Sequence, residues 1–342
     1  MNESAHSSIS RRQALRITAV AGLSVAFGGT LTRAILRRAG MHRVEATRFG
    51  LGTPVTIGVT HTSEDGARTM VEAAFEELGR LEGILSRHRA DTPVALLARM
   101  GVVRRPPEEL VEVLQRAHEI SELSGGAFDV TVAPLLRLYQ ERSTLPGAPL
   151  PSDGEVSRAL ELVDYRRIRV DGDAIALETP GMAITLDGIA KGYVVDRVVQ
   201  TLVERGADHV VVEAGGDLAS GGEGAEKDGW PVAIQDPRNP AGTVGDFQLR
   251  GEGVATSGDY VQAFTGDRTL HHILDPRTGQ SPIHTSGATV IARNAMEADA
   301  LSTAAFVLGP EEGVAFLARL PGVEGLLVTK DGRPSRTPGF PA

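Results

Sequence analysis

Hydrophobic residues follow alternating strand and helix periodicities along most of the chain, beginning near residue 43. In TPVTIGVT, residues 53–60, Val55, Ile57 and Val59 recur at every second position, which predicts a strand with one buried face. The next segment is apolar at every third or fourth position from Met70 to Leu85, which predicts a long helix. Further helices are predicted at 107–123, 191–204 and 311–319.

Glycine pairs interrupt this pattern and mark its turns. SGGAF ends the helix at 107–123, and the residues after its Gly-Gly turn, within 125–139, predict a short strand before Pro134. DHVVVEAGGD, residues 208–217, predicts a buried strand that runs into a second glycine turn. Residues 145–154, LPGAPLPSDG, predict a linker or surface loop. The pattern favours an α+β protein and leaves its topology open.

One predicted helix has an unusual polar stripe. Within EADALSTAAFVLG, residues 297–309, helical spacing places Asp299, Ser302, Thr303 and Phe306 on one face. Two interpretations are open. The aspartate can lie near a helix N-terminus while the hydroxyls bond back to the backbone. Alternatively, the carboxylate and a hydroxyl can bind one hard cation.

Composition excludes several classes of protein. The 342 residues carry a formal charge of −9, and because residues 1–40 hold six Arg and one Glu, the remainder carries −14. A nucleic-acid partner is not expected on that balance. There is no Cys, which excludes disulfides, thiolate metal sites and a lipoprotein anchor. Forty glycines and 4% aromatic residues favour tight turns over an aromatic groove.

Residues 1–40 predict a targeting segment rather than part of the fold. SRRQALR is followed by about sixteen moderately apolar residues, which resembles a twin-arginine export signal. A short amphipathic helix is the alternative. The apolar stretch is short for a membrane span, and no clean cleavage site follows it. We therefore expect an exported, periplasmic or extracytoplasmic protein, held at the membrane if the signal stays uncleaved.

Two further stretches offer candidate chemistry. In ITLDGIAKGYVVDRV, glycines at 188 and 192 flank Lys191, so that backbone N–H groups and an ammonium could meet phosphates. The pattern is neither a P-loop nor a G-x-G-x-x-G fingerprint. HHILDPRTG adds two histidines and a turn. Taken alone, each histidine or glycine turn could equally be structural.

Together, GGAFDVTVAPL, LDGIAKGYVVD, EAGGD, ATSGDY, HHILDPRTG and EADALST occur in the order found in the ApbE family of FAD:protein FMN transferases. The resemblance covers about residues 46–328 and implies a single α+β unit at 43–342, with a T-fold-like core of mixed or antiparallel sheets and packed helices. It also implies Mg²⁺-dependent transfer of the FMN half of FAD to a threonine of an acceptor protein, with release of AMP.

The resemblance also implies roles for individual residues. Those matching the family's magnesium ligands are Asp299, Thr303, the assisting Ser302 and a backbone carbonyl near Gly188. Those matching its FAD contacts are Ala127, Phe128, Asp129, Lys191 and Ile273. His272 directly precedes Ile-Leu-Asp-Pro, as the family's catalytic histidine does, and is the candidate base, with His271 as the alternative.

This chain departs from the family pattern at two places. Thr185 stands where the family usually has the aspartate of D-L-G-G, and an acid occurs two places later as Asp187. His88 stands at a usually aromatic position, and Ala98 at a usual asparagine. We therefore assign Thr185, Asp187 and His88 to the FAD site and leave open whether Asp187 replaces the missing acid.

Two other functions remain open from the sequence. The same site with water as acceptor would be a Mg²⁺-dependent FAD pyrophosphatase giving FMN and AMP, and a flavin-binding module would perform no chemistry. For the transferase, the expected partners are FAD and a threonine-bearing subunit of a redox complex at the extracytoplasmic face of the membrane, with no nucleic acid.

Overall fold

The computed structural model describes residues 23–25, 40–144, 149–223 and 229–341. Most of the predicted targeting segment at 1–40 therefore lies outside the described residues, as does part of the predicted loop at 145–154. Within the described ranges, no helix combines the length and apolar character needed to cross a membrane.

Fourteen strands and eight α-helices make up the described chain. The strands are β1 (Leu23–Val25), β2 (His42–Gly50), β3 (Thr53–His61), β4 (Val102–Arg104), β5 (Ile168–Asp171), β6 (Ala174–Leu177), β7 (His209–Ala214), β8 (Asp217–Gly221), β9 (Trp230–Gln235), β10 (Thr243–Leu249), β11 (Gly253–Gly258), β12 (Thr285–Ala292), β13 (Glu324–Thr329) and β14 (Pro334–Arg336). The helices are α1 (Glu64–Leu85), α2 (Pro93–Met100), α3 (Glu108–Leu123), α4 (Ala133–Thr144), α5 (Asp153–Leu160), α6 (Ala190–Glu204), α7 (Ala295–Leu308) and α8 (Pro310–Leu317).

An eight-stranded sheet forms the centre of the structure. Its strand order is β14-β13-β12-β11-β8-β7-β3-β2, and every neighbouring pair is antiparallel. Two three-stranded antiparallel sheets, β1-β9-β10 and β4-β6-β5, accompany it. The predicted α+β class with antiparallel sheets and packed helices is therefore confirmed.

The two faces of the central sheet are covered differently. On one face α1 packs on β2 and β3, α6 on β7 and β8, and α7 on β11 and β12. On the other face, Trp230 and Phe247 of the β9-β10 pair join Val211 and Val254 of the central sheet in a second apolar cluster. The strand predicted at 53–60 forms as β3. The prediction that only one of its faces is buried is wrong, because residues 55–60 are all buried.

The predicted helices are confirmed as α1, α3, α6 and α8, with ends that match simple chemical signals. Pro107 precedes α3, and Gly206, with φ of +89°, follows α6. The prediction of a short strand between the first glycine pair and Pro134 is wrong. The carboxylate of Asp129 accepts bonds from the backbone N–H and the hydroxyl of Thr131, which turns the chain into a 3₁₀ helix, Val130–Val132.

The helices α6 and α7 approach each other unusually closely, and this contact positions the site described below. A Cβ atom at Gly192 would lie 2.2 Å from the carbonyl oxygen of Ala295, so only glycine allows the crossing. Between β7 and β8, Gly215 and Gly216 have φ values of +57° and +97° and form the second predicted glycine turn. That turn places Asp217 on the side of the sheet covered by α6, where its side chain contacts Lys191.

Candidate active site

A cleft opens beside the start of α6. Its walls come from the loop after α3, the segment before α6, the end of β11, the segment before β12 and one face of α7. Eleven of the residues predicted from the sequence line it: Ala127, Phe128, Asp129, Thr185, Asp187, Gly188, Lys191, His272, Ile273, Asp299 and Thr303. Three others, His88, His271 and Ser302, do not line it.

Lys191 and two aspartates form a charged group at one end of the cleft. The Nζ atom of Lys191 lies 2.6 Å from Oδ2 of Asp217. Asp299 is 4% exposed and Asp217 is 1% exposed, and the two carboxyl groups are close enough to affect each other's pKa. Oδ2 of Asp299 also accepts a bond of 3.2 Å from the backbone N–H of Gly192. The lysine thus pairs with Asp217 and also interacts electrostatically with Asp299.

Burial determines the electrostatics of this group. Burial, followed by the negative charge of Asp217, raises the pKa of Asp299 well above its ordinary value, although Lys191 opposes the rise. Burial also raises the pKa of Asp217, again against Lys191. For the lysine, burial lowers the pKa, but Asp217 and Asp299 outweigh it, so the net change is upward. Nearby, burial raises the pKa of Glu213 to about 7.

This arrangement fits a divalent cation. Two carboxyl groups lie against one ammonium, so there is room in the charge balance for one further positive charge, from a proton or from a divalent cation. The hydroxyl of Thr303 lies beside Asp299 on the wall of the cleft, and a Cβ at Gly188 would lie 3.0 Å from Thr303 Oγ1. Among the described residues, no three or more His, Cys, Asp or Glu side chains are grouped to hold a metal. Such an ion would therefore depend on one or two carboxylates, other oxygen ligands and substrate phosphates, as is common for Mg²⁺.

Three hydroxyls support the inner face of α7. Ser257 Oγ lies 2.8 Å from Ser302 Oγ and 3.1 Å from Thr303 Oγ1. Ser302 also donates a bond of 2.9 Å to the carbonyl oxygen of Asp299. Ser302 is therefore turned back to the backbone and to Ser257, whereas Thr303 faces the cleft. Ser257, from the ATSGDY stretch, was not predicted as a site residue.

The two adjacent histidines occupy different environments. Nδ1 of His272 lies 3.2 Å from the carbonyl oxygen of Gln262. Because a carbonyl only accepts, Nδ1 carries the hydrogen and the lone pair is on Nε2. Burial lowers the pKa of His272, so this imidazole is neutral at neutral pH.

His271 is fully buried, and its ring packs edge-on against Phe306. Its Nε2 lies 3.2 Å from the carbonyl oxygen of Pro282, and burial lowers its pKa to about 4. Within the described part of the chain its Nδ1 has no hydrogen-bond partner. The structure therefore brings only His272 to the cleft and gives His271 a place in the core.

The loop after α3 forms another wall. Asp129 is 7% exposed, and besides its bonds to Thr131 its carboxylate accepts a bond of 2.9 Å from the backbone N–H of Tyr165. One of its oxygens thereby bonds within the loop and the other to the segment before β5, so Asp129 shapes the wall. Phe128 lies behind Gly188, at 3.4 Å from a Cβ placed there.

An ion pair lies at the segment preceding α6. Arg87 Nη2 lies 2.7 Å from Asp187 Oδ2, and Arg87 Nε donates a second bond of 2.8 Å to the same oxygen. Burial alone would raise the pKa of Asp187, but Arg87, with a smaller contribution from His88, lowers it. His88 is exposed and lies near Asp187 without lining the cleft. Thr185 accepts a bond of 3.3 Å from the Asp187 backbone N–H.

Sequence reasoning missed Asp217, Ser257 and Arg87 as site residues. Asp217 ends EAGGD and Ser257 lies in ATSGDY, so both fall inside the stretches that carried the family resemblance, and a signal was present for each. No local sequence signal pointed to Arg87, because its partner Asp187 is one hundred residues away in the chain.

Comparisons with known proteins agree with this geometry. The model of the ApbE family matches residues 51–327. An FAD:protein FMN transferase of Treponema pallidum is 33% identical over 301 residues, covering 79% of this chain and 81% of that protein. One of Haemophilus influenzae is 30% identical over 269 residues, covering 75% and 76%.

Solved structures give the same result. The crystal structure of the ApbE protein of Thermotoga maritima superposes with a TM-score of 0.79 at 32% identity, covering 87% of this chain and 98% of that chain. The apo form of flavinyl transferase ApbE of Pseudomonas stutzeri gives a TM-score of 0.76 at 31% identity, covering 88% and 96%. These matches confirm the ApbE-type α+β fold expected from the sequence.

Proposed function

Because the chain belongs to the ApbE family, we infer that it is an FAD:protein FMN transferase, and we propose that the cleft beside α6 is its active site. One observation carries the proposal. Lys191, His272, Asp299 and Thr303 line one cleft, and together they offer anion-binding, proton-accepting and metal-binding groups. We further propose that the reaction depends on Mg²⁺, modifies a threonine and releases AMP.

The proposed step is a displacement at phosphorus. The hydroxyl oxygen of the acceptor threonine forms a bond to the phosphorus of the FMN half, while the P–O bond to the AMP half breaks and AMP leaves with that electron pair. The threonine proton passes to Nε2 of His272, which is available because Nδ1 is bonded to Gln262. The flavin is neither oxidised nor reduced.

The charged residues prepare the cleft for a pyrophosphate. Asp299, Thr303 and a backbone carbonyl near Gly188 would hold Mg²⁺, which when bound neutralises phosphate charge. Lys191 supplies a further positive charge, and Asp217 fixes its ammonium at 2.6 Å. The N-terminus of α6, where both Gly188 and Lys191 line the cleft, adds the partial positive charge of its backbone amides.

The proposed acceptor is a threonine-bearing subunit of a redox complex on the extracytoplasmic side of the membrane. This location rests on the SRRQALR stretch and the apolar run after it. Changing Arg11 and Arg12 to Lys should retain the protein in the cytoplasm. Unchanged export of that double variant would overturn the proposed route.

Flavinylation of cell proteins provides the test of activity. Membranes from cells lacking this protein would be incubated with FAD, Mg²⁺ and the purified wild-type chain, or with its Asp299→Ala variant. The products would be separated on a denaturing gel and imaged by flavin fluorescence, and fluorescent bands would be digested for mass spectrometry. We expect a threonine carrying one FMN with the wild type and no such peptide with the variant.

Product analysis separates the three functions. Transfer gives AMP and protein-bound FMN in equal amounts. A pyrophosphatase would give AMP and free FMN whether or not an acceptor protein is present. A binding module would return intact FAD after prolonged incubation with Mg²⁺ and membranes. Either of the last two results would overturn the proposal.

A further inference from the structure

The first turn of α7 is bound by an acidic residue of α6 that faces away from the cleft. Asp196 accepts two hydrogen bonds, each of 2.8 Å, from the backbone N–H groups of Ala295 and Met296. These amides are the first two of α7, and helix geometry leaves them without a partner inside the helix. Asp196 lies on the wall of a separate surface pocket, so the chemistry proposed above does not use it.

The same helix start also has its own capping residue. The Asn294 side chain accepts a bond of 2.8 Å from the Glu297 backbone N–H, and the Asn294 carbonyl accepts from Ala298 at 3.1 Å. Asn294 is therefore a local cap within one segment. Asp196, in contrast, reaches from another helix and ties two elements together.

The connection between α6 and α7 is reciprocal. Asp299, five residues into α7, accepts from the backbone N–H of Gly192 in the first turn of α6. The residue preceding α6, Ile189, provides no side-chain cap of its own. Each helix thus carries an aspartate that binds an N-terminal amide of the other, and Gly192 packs between them against the carbonyl of Ala295.

This reciprocal contact determines the position of the candidate metal ligands. Lys191 lies on α6 and Asp299 on α7, so a rotation or shift between the helices would change the distance between them. Asp196 lies about one helical turn beyond Gly192 along α6. Two contacts separated by a turn fix both the distance and the direction of α7, which one contact alone would not do.

We propose that Asp196 is a positioning residue that fixes α7 against α6 and thereby places Asp299 for the binding of a divalent cation. The inference rests on the proposed function of the cleft. Asp196 lies outside the cleft, and its carboxylate contacts α7 through two backbone amides.

The test compares Asp196→Asn with Asn294→Ala in the full chain. Both variants remove one cap interaction from the same helix end, but only Asp196→Asn loosens the tie to α6, because an amide has one accepting oxygen for two N–H donors. The first readout is Mn²⁺ binding, measured by electron paramagnetic resonance without FAD or acceptor. The others are melting temperature with and without Mg²⁺, and the Mg²⁺ dependence of FMN transfer.

We expect Asp196→Asn to weaken Mn²⁺ binding about tenfold, to raise the Mg²⁺ concentration for half-maximal transfer by a similar factor, and to recover near wild-type rate at saturating metal. Asn294→Ala should lower the melting temperature by a similar amount while changing metal affinity by less than about twofold. Both variants are expected to lose comparable stability because each loses one cap interaction.

Several results would overturn the inference. One such result is Mn²⁺ binding by Asp196→Asn with wild-type affinity. Another is an equal loss of Mn²⁺ affinity in Asp196→Asn and Asn294→Ala, which would indicate a general loss of helix stability. If Asp196→Asn does not fold, Asp196→Glu, which keeps the charge, replaces it, and failure of both makes Asp196 a folding residue only. Absence of metal binding or transfer in the wild type would instead count against the proposed function.

Discussion

Replacement of His272 by alanine tests the proposed chemistry most directly. The imidazole Nδ1 bonds to the Gln262 carbonyl, so Nε2 presents a lone pair, and burial keeps the ring neutral. Nearly every enzyme molecule then has its base in the working form at pH 7.5. Removing it should therefore show the full effect of a general base, about 10²–10⁴-fold in rate. That loss corresponds to about 3–5 kcal/mol of activation free energy.

Binding and folding should change much less than the rate. His272 is half-buried, and its side chain makes one hydrogen bond, to a carbonyl that water can reach. We expect the free energy of unfolding to fall by about 1 kcal/mol and FAD affinity to remain within a few-fold. The assay is single-turnover transfer at saturating FAD and Mg²⁺, combined with a fluorescence titration of FAD.

The pH dependence gives an independent check. A base works only when unprotonated, so the rate must fall as the pH drops through the pKa of His272. Since burial lowers that pKa, the acid limb of the wild-type profile should lie below the ordinary histidine value of about 6.5. The limb should disappear in His272→Ala, and added imidazole should restore part of the rate.

His284 supplies a matched control, because it is an exposed histidine on the nearby segment before β12. His284→Ala should transfer FMN at the wild-type rate. A normal rate in His272→Ala would refute the argument and make His272 structural. Loss of FAD binding in that variant would assign it to the binding pocket instead.

Three further changes have defined outcomes. Thr303→Ala should raise the Mg²⁺ concentration for half-maximal transfer about tenfold, a loss of about 1.4 kcal/mol, and a metal titration of the rate would check this. Arg87→Ala should weaken FAD binding in a fluorescence titration because it leaves the charge of Asp187 unpaired near a pyrophosphate, and adding Asp187→Asn should restore affinity. Gly192→Ala should lower unfolding free energy by about 1–3 kcal/mol or more in thermal unfolding, since its Cβ would lie 2.2 Å from the Ala295 carbonyl.

The sequence predicted the parts of the fold that depend on local periodicity. The helices α1, α3 and α6 follow from apolar spacing and from end signals such as Pro107 and Gly206, which act within a few residues. Burial of both faces of β3 could not be predicted this way. It arises because parts of the chain distant in sequence cover both faces of the sheet: α1 packs on one face of β3, and Thr56 and Thr60 are buried on the other.

In the candidate site, too, residues within sequence motifs could be predicted and contacts between distant residues could not. Lys191, His272 and Asp299 belong to family motifs, and all three line the cleft. Partnerships between distant residues had no local signal. Arg87 pairs with an acid one hundred residues away, and Asp196 with amides about one hundred residues away. Such contacts depend on how strands and helices are ordered in space, and periodicity does not determine that order.

Position along α7 distinguishes the capping interpretation of the polar stripe in EADALST from the cation-binding one. A capping side chain must lie at the residue before the first turn, and Asn294 occupies that place. Asp299 is a full turn further on, too far to cap its own helix, and its carboxylate instead meets Gly192, Asp217 and the cleft. Ser302 does bond back to the backbone, as the capping interpretation expected for the hydroxyls. Lys191 supplies one positive charge for two buried carboxyl groups, so a proton or a bound cation has to supply the other. The position of Asp299 therefore rules out a cap of its own helix for this carboxyl and agrees with the cation-binding function proposed above.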